Sequence, residues 1–141
     1  ADPIGINVFT GNDKATVVTD TGVISDDILR RLDDTTLLVL EANYDPHMLR
    51  FGPYQPFLKQ RVASDEGHLS NEMAAQALLM MKRPNFMQVI LAHRSENNNN
   101  AVLVTQTIGK MLVDGGVRIG PEMKLQHGQP NEIVSIQSVK R

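Results

Sequence analysis

The chain has 141 residues, the length of one domain or part of one, and its 41% hydrophobic and 21% charged content is that of an ordinary globular protein. A formal net charge of -2 leaves no global basic field for nucleic acid or a membrane surface, while a local basic patch stays open. The absence of cysteine excludes disulfides and thiolate metal sites and fits a cytoplasmic location; the longest apolar run falls far short of the roughly 20 residues of a membrane span, so no membrane partner is expected.

In chain order, Ile4, Ile6 and Val8 alternate with smaller or polar residues, the period of a half-buried strand over residues 4–10. Gly11-Asn-Asp-Lys14 is turn chemistry and residues 15–19 are a second strand, which predicts a hairpin with a four-residue loop. Ser25 is the expected cap of a helix over residues 26–32. Asp26 and Asp27 in its first turn and Arg30 and Arg31 in its last complement the helix dipole. Residues 37–40 read as a buried strand ending in Glu41-Ala-Asn-Tyr-Asp45. Three prolines divide residues 46–64 into short helical pieces.

Ser70 or Asn71 caps a helix predicted from about residue 72 to 82, whose face of Met73, Ala77, Met80 and Met81 is expected in the core. Residues 86–91 form a strand leading to His93. The polar run Asn97–Asn100 supplies the cap for a helix over residues 101–114, and Gly115-Gly116 stops it. Two short strands, at residues 123–126 and 133–136, close the chain. The order β-β-α-β-α-α-β-α-β-β predicts an α/β fold. The start, Ala1-Asp2-Pro3 without an initiator Met and almost directly before a strand, reads as a chain cut from a longer protein.

Two strand ends carry candidate chemistry. Asp20 follows the second strand and precedes Thr21-Gly22; it reads either as an Asx-turn residue or as a metal carboxylate able to bridge two divalent ions. His93 follows Val89-Ile-Leu-Ala92, as a structural histidine or as a metal ligand at the same sheet edge as Asp20. His68 lies on a tight Gly67-His-Leu-Ser70 loop, either as a surface histidine or as a group meeting substrate phosphate or giving a proton. Glu41 ends a strand and could hold a liganding histidine in place. His47 and His127 are weaker candidates, His127 being expected in solvent, and Asp65-Glu66 reads as a solvated pair. No P-loop, dinucleotide fingerprint or nucleophile elbow is present in the sequence.

Several stretches recur together in one order: Ala1-Asp-Pro-Ile-Gly-Ile6, Thr19-Asp-Thr-Gly22, Glu41-Ala-Asn-Tyr-Asp45 with Met48-Leu49, Gly52-Pro-Tyr54, Ser64-Asp-Glu-Gly-His-Leu-Ser-Asn71, and Leu91-Ala-His93 with Ser95 and Asn98. On these, residues 1–112 resemble the C-terminal part of metallo-β-lactamase-fold hydrolases of the YycJ/WalJ type, relatives of ribonuclease Z. The resemblance implies that residues 1–141 are the C-terminal half of an αββα sandwich, an α/β layered fold with a dinuclear metal site at one edge. It implies phosphodiester hydrolysis, exonucleolytic on DNA, by a metal-bound hydroxide, with two divalent ions, zinc or manganese, in the longer parent and none in the isolated piece.

Under that resemblance Asp20 matches the bridging aspartate, His93 the last metal-binding histidine, and His68 the catalytic histidine of the Gly-His-Leu-Ser loop. Two departures matter. Tyr44 stands where the family has histidine, and His47 is expected to point elsewhere. The family's His-x-His-x-Asp-His cluster and a further metal histidine lie upstream, the last just before residue 1. The isolated chain is therefore expected to expose an apolar face and form a homo-oligomer. A non-enzymatic assembly module, and a small-molecule phosphodiesterase or lactonase, are the alternative readings.

Overall fold

A computed structural model describes residues 5–136; the start of the first motif and of the first expected strand, residues 1–4, lies outside them. The elements are β1 (Ile6–Thr10), β2 (Asp13–Val18), α1 (Asp26–Leu32), β3 (Leu37–Glu41), α2 (Pro46–Phe51), α3 (Pro56–Val62), α4 (Asn71–Met80), β4 (Met87–Ala92), α5 (Ala101–Asp114) and β5 (Met123–His127). The strands make one sheet in the order β1-β2-β3-β4-β5. β1 runs antiparallel to β2, and every later neighbour is parallel. The α/β layering is the one expected.

Alternation along the strands decides which face is covered. Leu38 and Leu40 of β3 and Met87, Val89 and Leu91 of β4 are buried, while Leu37, Val39 and Ile90 between them are half-buried. The buried set packs against Leu32 of α1, Ala74, Ala75, Ala77 and Leu78 of α4, and Val104, Ile108 and Leu112 of α5. Helices thus cover one face. Across the other face runs the row Ile6, Val17, Val39 and Ile90, paired strand to strand. Ile6 keeps 55% of its surface exposed there and Val17 38%.

Local chemistry explains the helix ends. The Ser25, Asp45, Ser70 and Asn100 side chains accept from the backbone N–H groups of Ile28, Met48, Met73 and Leu103, capping α1, α2, α4 and α5. Pro46 and Pro56 stand in the first turns of α2 and α3, where their missing N–H is not needed.

Three expectations are corrected. The β1–β2 hairpin closes with Thr10 opposite Asp13, so its loop is two residues, with Gly11 at φ 57° in the first central position. Residues 133–136 form no strand; Gln126 Nε2 instead donates to the Ser135 carbonyl at 3.1 Å. Of the α4 face expected in the core, Ala77 and Met81 are buried and Met73 packs against the core, whereas Met80 is 66% exposed and Ala74, Ala75 and Leu78 take the remaining covered positions.

Candidate functional site

Three adjacent parallel strands bring their carboxyl ends to one edge, where an open α/β sheet presents its chemistry. Asp20 lies two residues past β2, Glu41 is the last residue of β3, and His93 directly follows β4. Asp20 and His93 both hold left-handed backbone, at φ 58° and 55°. Such a conformation costs on the order of 1 kcal/mol or more in a non-glycine residue. The burial of Leu40 and Leu91 beside them, about 2 kcal/mol each, is enough to offset it. The Asn43 side chain further holds the His93 turn by donating to its carbonyl at 2.7 Å.

His68 arrives from elsewhere. Its loop between α3 and α4 is fastened by a hydrogen bond from its own N–H to the Val62 carbonyl at 2.9 Å. Gly67 lies so close beneath α3 that a Cβ there would collide with the Arg61 and Val62 carbonyls. Gly22 is held likewise: its N–H donates to the Asp65 carbonyl, and a Cβ would strike the Ser64 carbonyl. The two glycines bring the Asp20 turn and the His68 loop together.

At the base of the group lies Glu41, with no exposed surface. A buried carboxylate is costly unless donors surround it, and four do. His68 Nδ1 and His93 Nδ1 donate to Oε1 at 2.7 and 2.6 Å, and the Thr21 and Leu69 N–H groups donate to Oε2 at 3.3 Å each. With Nδ1 of each ring so engaged, Nε2 is the nitrogen left to act on something else, the arrangement that fixes imidazole tautomers at metal sites.

Asp20 Oδ1 is 3.7 Å from His93 Nδ1 and 4.0 Å from His68 Nδ1. Asp20, Glu41, His68 and His93 each offer a ligand atom within 4.8 Å of the others. Exposure grades outward, from none at the Glu41 side chain through 30% at His68 and 45% at His93 to 64% at Asp20. The hydrogen bond to Glu41 raises the His68 pKa above its ordinary value; partial burial opposes this, the charges of Glu41 and Asp20 support it, and Arg61 opposes it.

Asp20 and His93 share one edge, as expected from their places at strand ends. His68, expected outside the cluster, has its ring 5.1 Å from that of His93. His47 stays outside, exposed on α2 with its ring 4.6 Å from that of Phe51. Tyr44 is buried against Leu49 and Val62, and burial, with Glu72 and Glu41 nearby, pushes its hydroxyl pKa up. His127, expected in solvent, is half-buried at the end of β5 and bonded to Thr105 Oγ1 at 2.8 Å; burial and then Arg94 lower its pKa.

The buried Asn71–Asn99 amide pair, bonded both ways at 3.0 and 2.8 Å, was not read from the sequence. Asn99 Nδ2 also donates to the Ala42 carbonyl, tying the loop after β3 to the loop before α5. A run of asparagines reads as solvated loop, and only the long-range contact reveals the role of Asn99.

The donor set can be tested against a divalent ion. An exposed carboxylate and an imidazole with a fixed tautomer are the oxygen and nitrogen donors that zinc and manganese accept. Asp20 and His93 fit, as part of a ligand set.

No protein-family model matches the chain. Curated homologues do. The chain is 32% identical over 139 residues to "Exodeoxyribonuclease YycJ" of Bacillus anthracis, covering 99% of this chain and 53% of that protein. It is 35% identical over 124 residues to "Exodeoxyribonuclease WalJ" of Streptococcus pneumoniae serotype 2, covering 87% of this chain and 46% of that protein. The chain therefore spans about half the length of the curated relatives it matches. Among the described residues, no helix is long and apolar enough to cross a membrane.

Proposed function

We propose that this chain is the C-terminal portion of one metallo-β-lactamase-like domain and supplies part of the active-site edge of a metal-dependent hydrolase that cleaves phosphodiester bonds at DNA ends. The observation that carries the reading is the convergence of Asp20, His68 and His93 over buried Glu41 at the carboxyl edge of three parallel strands. The exodeoxyribonuclease names of the relatives support DNA as the substrate.

Asp20 and His93 would hold divalent ions, zinc or manganese. Such ions, when bound, supply positive charge against a phosphodiester and make water nucleophilic at neutral pH. This chain's own part is positional. Glu41 keeps the His68 and His93 rings in one tautomer and orientation, and the Gly22 and Gly67 contacts hold the two loops that carry Asp20 and His68. His68, whose pKa is raised first by its hydrogen bond to Glu41, would meet a substrate phosphate or a departing oxygen through Nε2.

The test is metal-dependent release of nucleotides from end-labelled DNA by the intact protein. Asp20→Asn and His93→Ala are expected to bring it to the uncatalysed background. Undiminished turnover in both variants would favour the reading as a non-catalytic assembly module.

The half-exposed row of Ile6, Val17, Val39 and Ile90 bears on assembly. In the resembled sandwich the upstream half covers such a face. The 141-residue chain alone is expected to cover it by self-association, since contiguous apolar patches drive oligomers. Light scattering at tens of micromolar should give a dimer or larger; a monodisperse monomer would contradict this.

A further inference from the structure

The charge of this chain is unevenly placed. Residues 46–64 contain Arg50, Lys59 and Arg61 and no Asp or Glu, within a chain of net charge -2. The same stretch carries three aromatic side chains, Phe51, Tyr54 and Phe57. Phe51 at the end of α2 is 68% exposed and Phe57 at the start of α3 is 71% exposed. An exposed phenyl ring taken alone is unremarkable. Two of them set among cations in an acid-free segment form a pattern.

Arg50, Lys59 and Phe51 are physically joined. The Arg50 guanidinium stands 5.4 Å from the centre of the Phe51 ring, and the His47 ring is 4.6 Å from it on the same helix. Lys59 Nζ donates to the Arg50 carbonyl at 2.8 Å, which draws the cation of α3 onto the end of α2. The segment also leads to the cluster at the sheet edge. Tyr54 and Val62 line a cavity of about 320 Å³ together with His68, His93, Arg94 and Glu96. Within that cavity wall, Arg94 Nη1 is buried without a hydrogen-bond partner, a donor left over for an anion.

We propose that the α2–α3 segment is a docking surface for an unpaired stretch of nucleic-acid strand, whose bases stack on Phe51 and Phe57 and whose phosphates pair with Arg50, Lys59 and Arg61. Single strands are held by this combination, cations along the backbone and aromatic faces under the bases. A duplex keeps its bases stacked inside and has no use for the two rings. An acidic peptide would match the charge and leave the flat rings without a stacking partner. The path ends at the cavity beside His68 and His93, where Arg94 meets the phosphate next to the cluster. The proposal rests on the nuclease reading above, and it supplies what that reading leaves open: the form in which the strand is presented.

Binding is measured apart from hydrolysis, by fluorescence anisotropy of a labelled oligothymidylate of roughly 12 nucleotides with the intact protein in excess chelator. The duplex of the same length is the comparison. Phe51→Ala and Phe57→Ala are each expected to weaken single-strand binding about tenfold, with duplex binding unchanged. Phe51→Trp should keep the affinity, since it keeps a stacking face. Arg50→Gln and Lys59→Gln should each reduce the slope of log affinity against log salt by about 0.7, one phosphate contact on a single strand. The exposure of these side chains makes loss of fold an unneeded explanation, and unchanged denaturation midpoints would confirm that. Single-strand affinity indifferent to both Phe→Ala changes, or a duplex bound in preference, would overturn the docking surface even where Asp20→Asn is inactive. Tenfold losses in binding alongside an active Asp20→Asn would overturn the nuclease reading and leave the surface standing.

Discussion

His68→Ala in the intact protein is expected to lower turnover on DNA ends about 100- to 10,000-fold, the usual worth of a positioned acid–base group, with the divalent-ion content unchanged. His68 is not on a strand end, as Asp20 and His93 nearly are. It is brought in by a loop fastened to α3, and its Nδ1 is committed to Glu41 at 2.7 Å. The side chain retains 30% of its surface, enough for Nε2 to reach a bound strand. The same hydrogen bond raises its pKa, so the protonated form persists further toward neutral pH than in a free histidine.

The ion-content measurement decides between two roles that the geometry brings close together. His68 lies 5.1 Å ring to ring from His93, so a ligand role is the direct competitor of the proton-donor role. Loss of ions in His68→Ala together with loss of rate would make it a ligand. Retained ions with a lost rate would make it the group that handles phosphate or the leaving oxygen. In the ion-free protein, the His68 ring protons followed by NMR should titrate above the ordinary histidine value. Glu41→Gln should move that titration down, because the first cause of the rise is then weakened.

Much of this arrangement could be read from residues alone, for reasons that differ by element. The bounds of α1 and α5 were legible because each has a side-chain cap at its start, Ser25 or Asn100, and α5 ends at Gly115. Asp20 and His93 were legible because a run of β-branched and aliphatic residues ends abruptly at each. Glu41 was legible as a partner of histidine for the same reason.

What the residues did not disclose lies in long-range contacts. Nothing local to Gly67-His-Leu-Ser70 says that Leu69 N–H reaches Glu41, 28 positions away, and the His68 ring joins the cluster only through that fold. Asn98 and Asn99 are buried although their run of four asparagines has the composition of solvated loop. Residues 133–136 have the apolar alternation of a strand, but pairing also requires a free neighbouring edge in register, and periodicity is silent on that. On α4, helical spacing placed Ala77 and Met81 correctly and misplaced Met80, because the covered stripe turns toward Ala74, Ala75 and Leu78.

The 141-residue chain by itself is expected neither to retain a pair of tightly bound divalent ions nor to hydrolyse nucleic acid. Among the described residues, the group of acidic and histidine side chains close enough to share an ion is Asp20, Glu41, His68 and His93. Glu41 is withdrawn from it by complete burial and four hydrogen bonds. A catalytic zinc ion takes three protein ligands and keeps a position open for water. If His68 turned to join Asp20 and His93, three donors would complete one ion's set and leave nothing for a second beyond a shared Asp20 carboxylate. Two ions at one edge need donors from outside these residues, and the resemblance puts them upstream. Ion content after dialysis, measured beside end-labelled DNA hydrolysis, separates the cases for the chain and for a longer chain that adds the upstream histidine cluster the resemblance implies. The chain should lose its ions and stay at background, and activity should return with the upstream segment, joined to it or added as a complementing fragment. Two ions retained per 141-residue chain, or turnover by that chain which Asp20→Ala abolishes, would show the ligand set to be complete within it.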